Sequence, residues 1–144
     1  MNPKVSIIIV SWNAAAVLRD CLMSIREAAK QLSLEILVID NSSSDGSAEI
    51  VRQKFPEATL LAKTENLGFA RAVNTRFAAS HGEYVFLLNP DATLNPDTLP
   101  TLLHYLETHL DVGIVGPRIM NADCSAQIST NRFPTFADQA IILT

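Results

Sequence analysis

Lys4 to Trp12, KVSIIIVSW, decides how the rest of this chain reads. Val5, Ile7, Ile8, Ile9 and Val10 are β-branched, and apolar residues run on without alternation. A continuous run of this kind is expected of a strand buried on both faces, as in a parallel sheet. The apolar core is short and stops at Ser11-Trp12-Asn13, and Ala14-Ala15-Ala16 then open an amphipathic pattern. The segment therefore reads as a strand rather than a secretory leader. No run in the chain approaches the ~20 apolar residues of a membrane span.

Working outward, Val17, Leu18, Cys21, Leu22, Ile25, Ala28, Ala29 and Leu32 recur at helical spacing and predict a helix from about Ala14 to Gln31. LEILVID is a second strand ending in Asp40. The polar loop NSSSDG follows, with Ser44 or Asp45 as the expected cap of a helix through SAEIVRQKF, which Pro56 closes. ATLLA is a third short strand. The same order then returns: loop KTENLG, helix FARAVNTRFAASH, a turn at Gly82, and strand EYVFLL. A helix from about Asp97 to Thr108 follows the Pro96 start signal. VGIVGP reads as a further strand, and RIMNADCSAQIS as a hairpin turning at Asn121-Ala122-Asp123. Alternation at these lengths means an α/β/α sandwich on a mostly parallel, Rossmann-like sheet.

The 144 residues suit one domain, and about half are apolar, which excludes disorder. Net charge is −4, from 11 basic and 15 acidic residues. No basic run exists, so nucleic acid is excluded as the main partner. Cys21 and Cys124 make no disulfide framework and point to a reducing compartment. The closing FADQAIILT stops inside an apolar run, and the sequence reads as cut at its C-terminal side.

Ligands of such sheets bind beyond the carboxyl ends of the strands. The residues to watch are Ser11-Trp12-Asn13, Asp40-Asn41 and Asn89-Pro90-Asp91. A dinucleotide fold needs a Gly-rich turn after the first strand, and SWNAAA has no glycine. A Gly-Lys-Ser/Thr phosphate loop is also absent. NPDAT faintly resembles a phosphatase Asp-x-Asp-x-Thr loop, but an amide stands where that chemistry needs a nucleophilic carboxylate. A phosphoacceptor domain using Asp40 would want acids after the first strand and a late lysine, and has neither.

What fits is a metal-and-diphosphate reading. A cation bridging two phosphates must be held by a rim carboxylate, and Asp91 is placed for it on a turn stiffened by Pro90. The Asp40 carboxylate suits the N3–H of a pyrimidine, and the Trp12 indole offers a flat face to a base. Asp45 reads as a helix cap and Asp97 as a first-turn residue favoured by the helix dipole. His81, His104 and His109 show no ligand spacing.

VSIIIVSWN, LEILVIDNSSSDGS, NLGFARAVN, GEYVFLLNPDA and VGIVGP stand in the order seen in family 2 glycosyltransferases, which the chain resembles over essentially its whole length. That resemblance implies the GT-A fold, inverting transfer, and a UDP- or dTDP-linked sugar donor. LLNPD and RFPT are most similar to the rhamnosyltransferase-like branch of bacterial surface polysaccharide synthesis, which implies dTDP-rhamnose among the donors. By the same resemblance Ser11, Trp12 and Asn13 would line the nucleoside pocket, and Asp40, with Asn41 beside it, would bind the base edge. Gly68 and Arg71 would lie near ribose and diphosphate, with Asn74 bracing their loop. Asn89 and Asp91 match the ends of the family's Asp-x-Asp motif, Asp91 being the ligand for Mg²⁺ or Mn²⁺.

Two departures stand out. Asn89 replaces an acid, and Arg76 stands where a glycine is common. The general base of the family is expected beyond residue 144, so a non-catalytic nucleotide-sugar-binding module is the alternative. The acceptors implied are glycans or lipid-linked glycans, in the cytoplasm or at the inner face of the membrane. Oligomeric state is not fixed by the sequence.

Overall fold

The computed structural model describes residues 2–29 and 32–127. The end of the predicted first helix at Gln31, the RFPT motif, the last residues of the predicted hairpin and FADQAIILT lie outside the described residues. The chain falls into two units, residues 1–101 and 102–144.

The first unit is built on a four-stranded sheet in the order β3-β2-β1-β4, with all pairings parallel. The strands are β1 (Val5–Ser11), β2 (Leu34–Asp40), β3 (Ala58–Ala62) and β4 (Tyr84–Leu88). The helices between them are α1 (Ala15–Ala28), α2 (Ser47–Lys54) and α3 (Phe69–Phe77). Helix α4 (Thr98–Thr108) begins in this unit. β1 is central, with Ile7 opposite both Ile36 and Phe86. This is why its sequence shows no polar alternation. Ile8, Leu37 and Ile39 meet Ala72 of α3 on one face, with Val10 and Val85 against them. Ile7, Ile9 and Val38 point the other way and are equally buried, so both faces are covered at the centre.

α1 and α2 are tied by Arg26. Its guanidinium pairs with Glu57 through two nitrogens, donates to the Lys54 carbonyl at 2.7 Å, and lies over the Phe55 ring. The α3–β4 connection is pinned at the opposite end of the sheet from the strand tips. Gly82 donates its N–H to Ser6 Oγ at 2.8 Å, Ser6 donates to Glu35, and Glu35 also accepts the His81 N–H. A Cβ on Gly82 would lie 2.4 Å from the Ser6 nitrogen and 2.8 Å from the Val5 carbonyl carbon. Only glycine allows that approach.

Arg76, whose packing the sequence left open, is buried against the sheet. Its Nη2 donates to the Thr59 carbonyl at 2.9 Å and reaches the Val38 carbonyl at 3.5 Å. Burial holds its pKa below the usual arginine value, offset by the attraction of Glu35.

Two expectations change. Helix α2 is capped by neither Ser44 nor Asp45: its N-cap is Gly46, at φ 88°. Asp45 instead closes a turn by accepting the Ser47 N–H at 3.0 Å. The predicted strand VGIVGP is irregular over 112–117, with Ile114 92% exposed. Among the described residues its own unit offers it no strand to pair with, and two glycines and a proline weaken any ladder. The hairpin of the second unit does form in its described part. Met120 bridges Ala126, and the turn is closed by the Cys124 N–H to the Asn121 carbonyl at 3.0 Å.

Candidate functional site

The strand tips of the first unit present their loops, and the helix starts these lead to, at the carboxyl edge of the sheet, where a parallel sheet binds ligands. β1 and β2 end in register, Ser11 opposite Asp40, and the Asn41 N–H donates to the Ser11 carbonyl at 2.7 Å. Both chains then leave the sheet through a left-handed residue, Asn13 at φ 49° and Ser42 at φ 68°. Asparagine tolerates this conformation and serine pays for it in strain, which at a strand tip marks a shaped loop.

Asp40 is 3% exposed. One carboxylate oxygen accepts the Ser43 N–H at 3.1 Å, while the other is buried with no partner among the described residues. The neighbouring Ser11 hydroxyl oxygen is likewise buried and unpartnered. Buried polar atoms normally find hydrogen bonds, so two orphans on facing residues suit a ligand's polar edge.

Trp12 stands 59% exposed beside them. It is not packed in a core, so its face is open to a flat partner. Asn13 is exposed and does local work. Its side-chain oxygen accepts the Ser44 N–H at 2.9 Å, while its own N–H donates to Ser43 Oγ at 2.9 Å.

The starts of α1 and α3, both at this edge, differ. At α1, the Ala14 N–H donates to Ser47 Oγ at 3.1 Å and the Ala15 N–H to Asp45 at 2.8 Å. Hydrogen bonds from the Ser47 hydroxyl and then the Ala15 amide hold the Asp45 carboxyl below its ordinary range. Loop side chains thus consume donors that an anion would otherwise take. At α3, the N-cap is Gly68 at φ 74°, and no side chain caps the helix. Among the described residues no acceptor meets the amides of Phe69, Ala70 and Arg71, and the Arg71 side chain is exposed without a partner. This start is open to an anion.

The loop leading into α3 is braced by Asn41 and Asn66. Asn41 accepts the Leu67 N–H at 2.9 Å and donates to Asn66 at 2.6 Å, and Asn66 accepts the Gly68 N–H at 2.8 Å. Asn41, expected beside Asp40, thus ties the tip of β2 to this loop. Asn74, expected to brace that loop, is exposed and makes no side-chain hydrogen bond among the described residues.

After β4, Asn89 to Ala92 form a turn closed by the Ala92 N–H to the Asn89 carbonyl at 3.2 Å. Pro90 takes the second position, as such turns favour. Asn89 and Asp91 are exposed, and the Asp91 carboxylate has no hydrogen-bond or ion-pair partner among the described residues. The Cys21 thiol lies behind the turn, 3.6 Å from the Asn89 carbonyl. Burial, and then the Asp91 charge, push that thiol up to about 12.

No three His, Cys, Asp or Glu side chains among the described residues gather as a metal cluster. The donor set at this turn is one carboxylate and one amide. That set does not fit an ion held by protein alone. It fits a hard divalent cation whose remaining ligands are phosphate oxygens and water.

Sequence reasoning placed Ser11, Trp12, Asn13, Asp40, Asn41, Gly68, Arg71, Asn89 and Asp91 at this edge, and the fold brings their strand tips together. It missed Ser43, Ser47 and Asn66, and gave Asp45 to the start of α2 rather than to that of α1. Asn66, two residues before a glycine, carried a readable turn signal.

The profile of the family described as "Glycosyl transferase family 2" matches residues 6–142. The chain is 27% identical over 146 residues to an N-acetylglucosaminyl-diphospho-decaprenol L-rhamnosyltransferase of Mycobacterium tuberculosis, covering 94% of this chain and 47% of the relative. Among solved structures it superimposes on the mannosyltransferase PcManGT of Pyrobaculum calidifontis, in complex with GDP-Man and Mn²⁺, with TM-score 0.66 and 32% identity over 74% of this chain and 33% of that one. It shares the fold of TarS from S. aureus, in complex with UDP-GlcNAc, with TM-score 0.63 and 22% identity, covering 74% and 32%. The chain spans less than half the length of each of these proteins.

Proposed function

The chain belongs to glycosyl transferase family 2, and on that premise we propose that this edge binds the nucleotide diphosphate of a sugar donor. The observation that carries the reading is the buried, unpartnered carboxylate oxygen of Asp40 beside the unpartnered Ser11 hydroxyl. Asp40 accepts the N3–H of a pyrimidine, uracil or thymine, and Trp12 stacks on its face. The diphosphate lies against the open start of α3, at the Phe69 to Arg71 amides and the Arg71 guanidinium. Asn89 hydrogen-bonds sugar or ribose hydroxyls.

Asp91 holds a divalent cation, Mg²⁺ or Mn²⁺, together with the phosphates. When bound, that ion neutralises charge gathering on the departing diphosphate. In the transfer, an acceptor hydroxyl oxygen bonds to the anomeric carbon as the bond from that carbon to the diphosphate oxygen breaks. No described residue is assigned as the base that takes the hydroxyl proton.

The rhamnosyltransferase relative acts, by its name, on a diphospho-decaprenol substrate. A lipid-linked or glycan acceptor in bacterial surface polysaccharide synthesis, and dTDP-rhamnose as the donor, are therefore favoured. No helix among the described residues is long and apolar enough to cross a membrane. We place the site in the cytoplasm, facing the inner side of the membrane.

A non-catalytic nucleotide-sugar-binding module is the second reading, favoured by Asn89 in place of an acid. Calorimetric titration of UDP, dTDP and GDP, with and without Mn²⁺, tests the site on wild type and Asp91→Ala. Metal-dependent binding of UDP or dTDP that is lost in Asp91→Ala is expected. Absence of nucleotide binding by the folded wild type overturns the donor site, and a preference for GDP overturns the pyrimidine. Turnover of a bound donor then separates enzyme from module.

A further inference from the structure

Asp91 sits on an exposed loop, yet that loop is tied at both ends to α1. Leu88 and Leu94, each 8% exposed, anchor it, which leaves Asn89 to Thr93 as a short bridge with Asp91 at its centre. On the first side, the Asn89 carbonyl accepts the Ala92 N–H at 3.2 Å and the Cys21 S–H at 3.6 Å. On the second, the Leu94 N–H donates to Ser24 Oγ at 3.0 Å. The Ser24 hydroxyl in turn donates to the Cys21 carbonyl at 2.7 Å. Cys21 and Ser24 are three residues apart on α1 and share one of its faces.

The same helix is fixed at its other end. Its Ala14 and Ala15 amides are held by Ser47 and Asp45, in the loop whose Ser43 N–H orients Asp40. Ala15 and Ser24 are nine residues apart, about 14 Å along the axis at 1.5 Å each. One rigid helix thus registers the loop of Asp40 and the loop of Asp91 against each other.

We infer that Cys21 and Ser24 are positioning residues for the Asp91 carboxylate, clamping its turn from behind so that a nucleotide-bound divalent cation meets a preorganised ligand. This rests on the donor-site reading above and adds to it where the order of the metal ligand comes from. Neither residue touches the nucleotide or the cation. A carboxylate on a free bridge must be ordered on binding, whereas a clamped one is ordered beforehand. The clamp therefore acts on the metal-dependent part of binding and leaves the metal-free part alone.

The test is Mn²⁺ titration into the chain saturated with UDP or dTDP, whichever wild type prefers, followed by electron paramagnetic resonance of free Mn²⁺. Nucleotide affinity without metal is measured beside it. In Ser24→Ala the apparent Mn²⁺ dissociation constant is expected to rise about fivefold, the worth of an ordinary hydrogen bond. Metal-free nucleotide affinity should stay within twofold. Ser24→Thr, which keeps a hydroxyl, should restore wild-type Mn²⁺ affinity. Cys21→Ser, which keeps a donor, should lose less than Cys21→Ala.

Unchanged Mn²⁺ affinity in Ser24→Ala and Cys21→Ala overturns the clamp. So does an equal loss of metal-free and metal-dependent binding, which would make these residues structural only. If wild type itself shows no metal-dependent nucleotide binding, the donor-site reading fails first, in the one protein where the clamp is intact.

Discussion

Asp40→Asn separates a ligand from a structural acid, because the substitution keeps shape and alters only what the two oxygens do. In the folded protein one Asp40 oxygen accepts the Ser43 N–H at 3.1 Å, and the asparagine carbonyl can keep that bond. The other oxygen is buried without a partner among the described residues, and the amide nitrogen takes its place. A buried polar atom left unsatisfied costs about 1–3 kcal/mol. Exchanging a carboxylate oxygen for a neutral group there should leave stability unchanged or raise it by ~1 kcal/mol, a melting shift of about 0 to +4 °C for a chain of this size. Binding should move the opposite way. A hydrogen bond to a charged group is worth about 1.5–3 kcal/mol, and the new NH₂ opposes the pyrimidine N3–H donor to donor. A loss of ~2–3 kcal/mol is a fall of about 30- to 150-fold in affinity. The factor should be the same for UDP and dTDP, which present the same edge. Calorimetric titration with Mn²⁺ and a thermal melt of each protein read both numbers. A melting temperature lowered by 5 °C or more with nucleotide affinity intact would refute the reasoning and make Asp40 a structural residue.

Gly82→Ala places a Cβ against backbone atoms of Ser6 and Val5 that cannot rotate away; a cost of about 3 kcal/mol, or roughly 10 °C in melting temperature, is expected. Gly46→Ala, with nothing within 4 Å but φ +88°, should cost only ~1 kcal/mol, and equal shifts in the two variants would contradict the packing account. Glu35 is pushed up by burial but held below its ordinary value overall by the Ser6 hydroxyl and the His81 donors. Its stabilising effect is therefore complete above the unfolded carboxyl value of about 4.5 and is lost as pH falls through the lower folded one. Glu35→Gln should flatten the stability–pH curve below pH ~4.5, and an unchanged slope there would remove Glu35 from the acid response. At pH 8 a thiol reagent should modify exposed Cys124 and spare Cys21, whose thiol burial raises to about 12, until denaturant is added; two fast thiols in the native protein would show that α1 does not bury Cys21.

The strands were legible because burial on both faces leaves a run rich in β-branched residues, as in Val5–Val10 and Ile36–Ile39. VGIVGP carries the same signature and forms no strand, since a pattern states what a segment would bury and not whether a ladder partner is in reach. The rim residues were legible by position alone, being the first polar groups after each strand. Their supports were not. Ser24, Cys21 and Asn66 act across 25 to 70 residues of sequence, and each reads locally as an ordinary helix or turn residue. Arg76 stood out as a departure, but its partners were not legible, because they are carbonyls of β2 and β3 that only tertiary packing brings beneath it.

Two features that looked unrelated in the sequence prove to be one device. The turn SWNAAA lacks glycine, and the loop NSSSDGS is crowded with short polar side chains. Ser43, Asp45 and Ser47 are spent on the amides of Asn13, Ala15 and Ala14, so the first helix start is closed by the protein's own oxygens. A glycine turn would hold that start open for phosphate, and here it would serve nothing. The open start lies instead at α3, where Gly68 departs at positive φ and Arg71 waits uncapped. Of the starts of α1 and α3, an anion therefore meets free donors, among the described residues, at α3, with the orphaned oxygens of Ser11 and Asp40 left for a neutral polar edge. That division of charge along one rim suits a molecule with a base at one end and phosphates at the other.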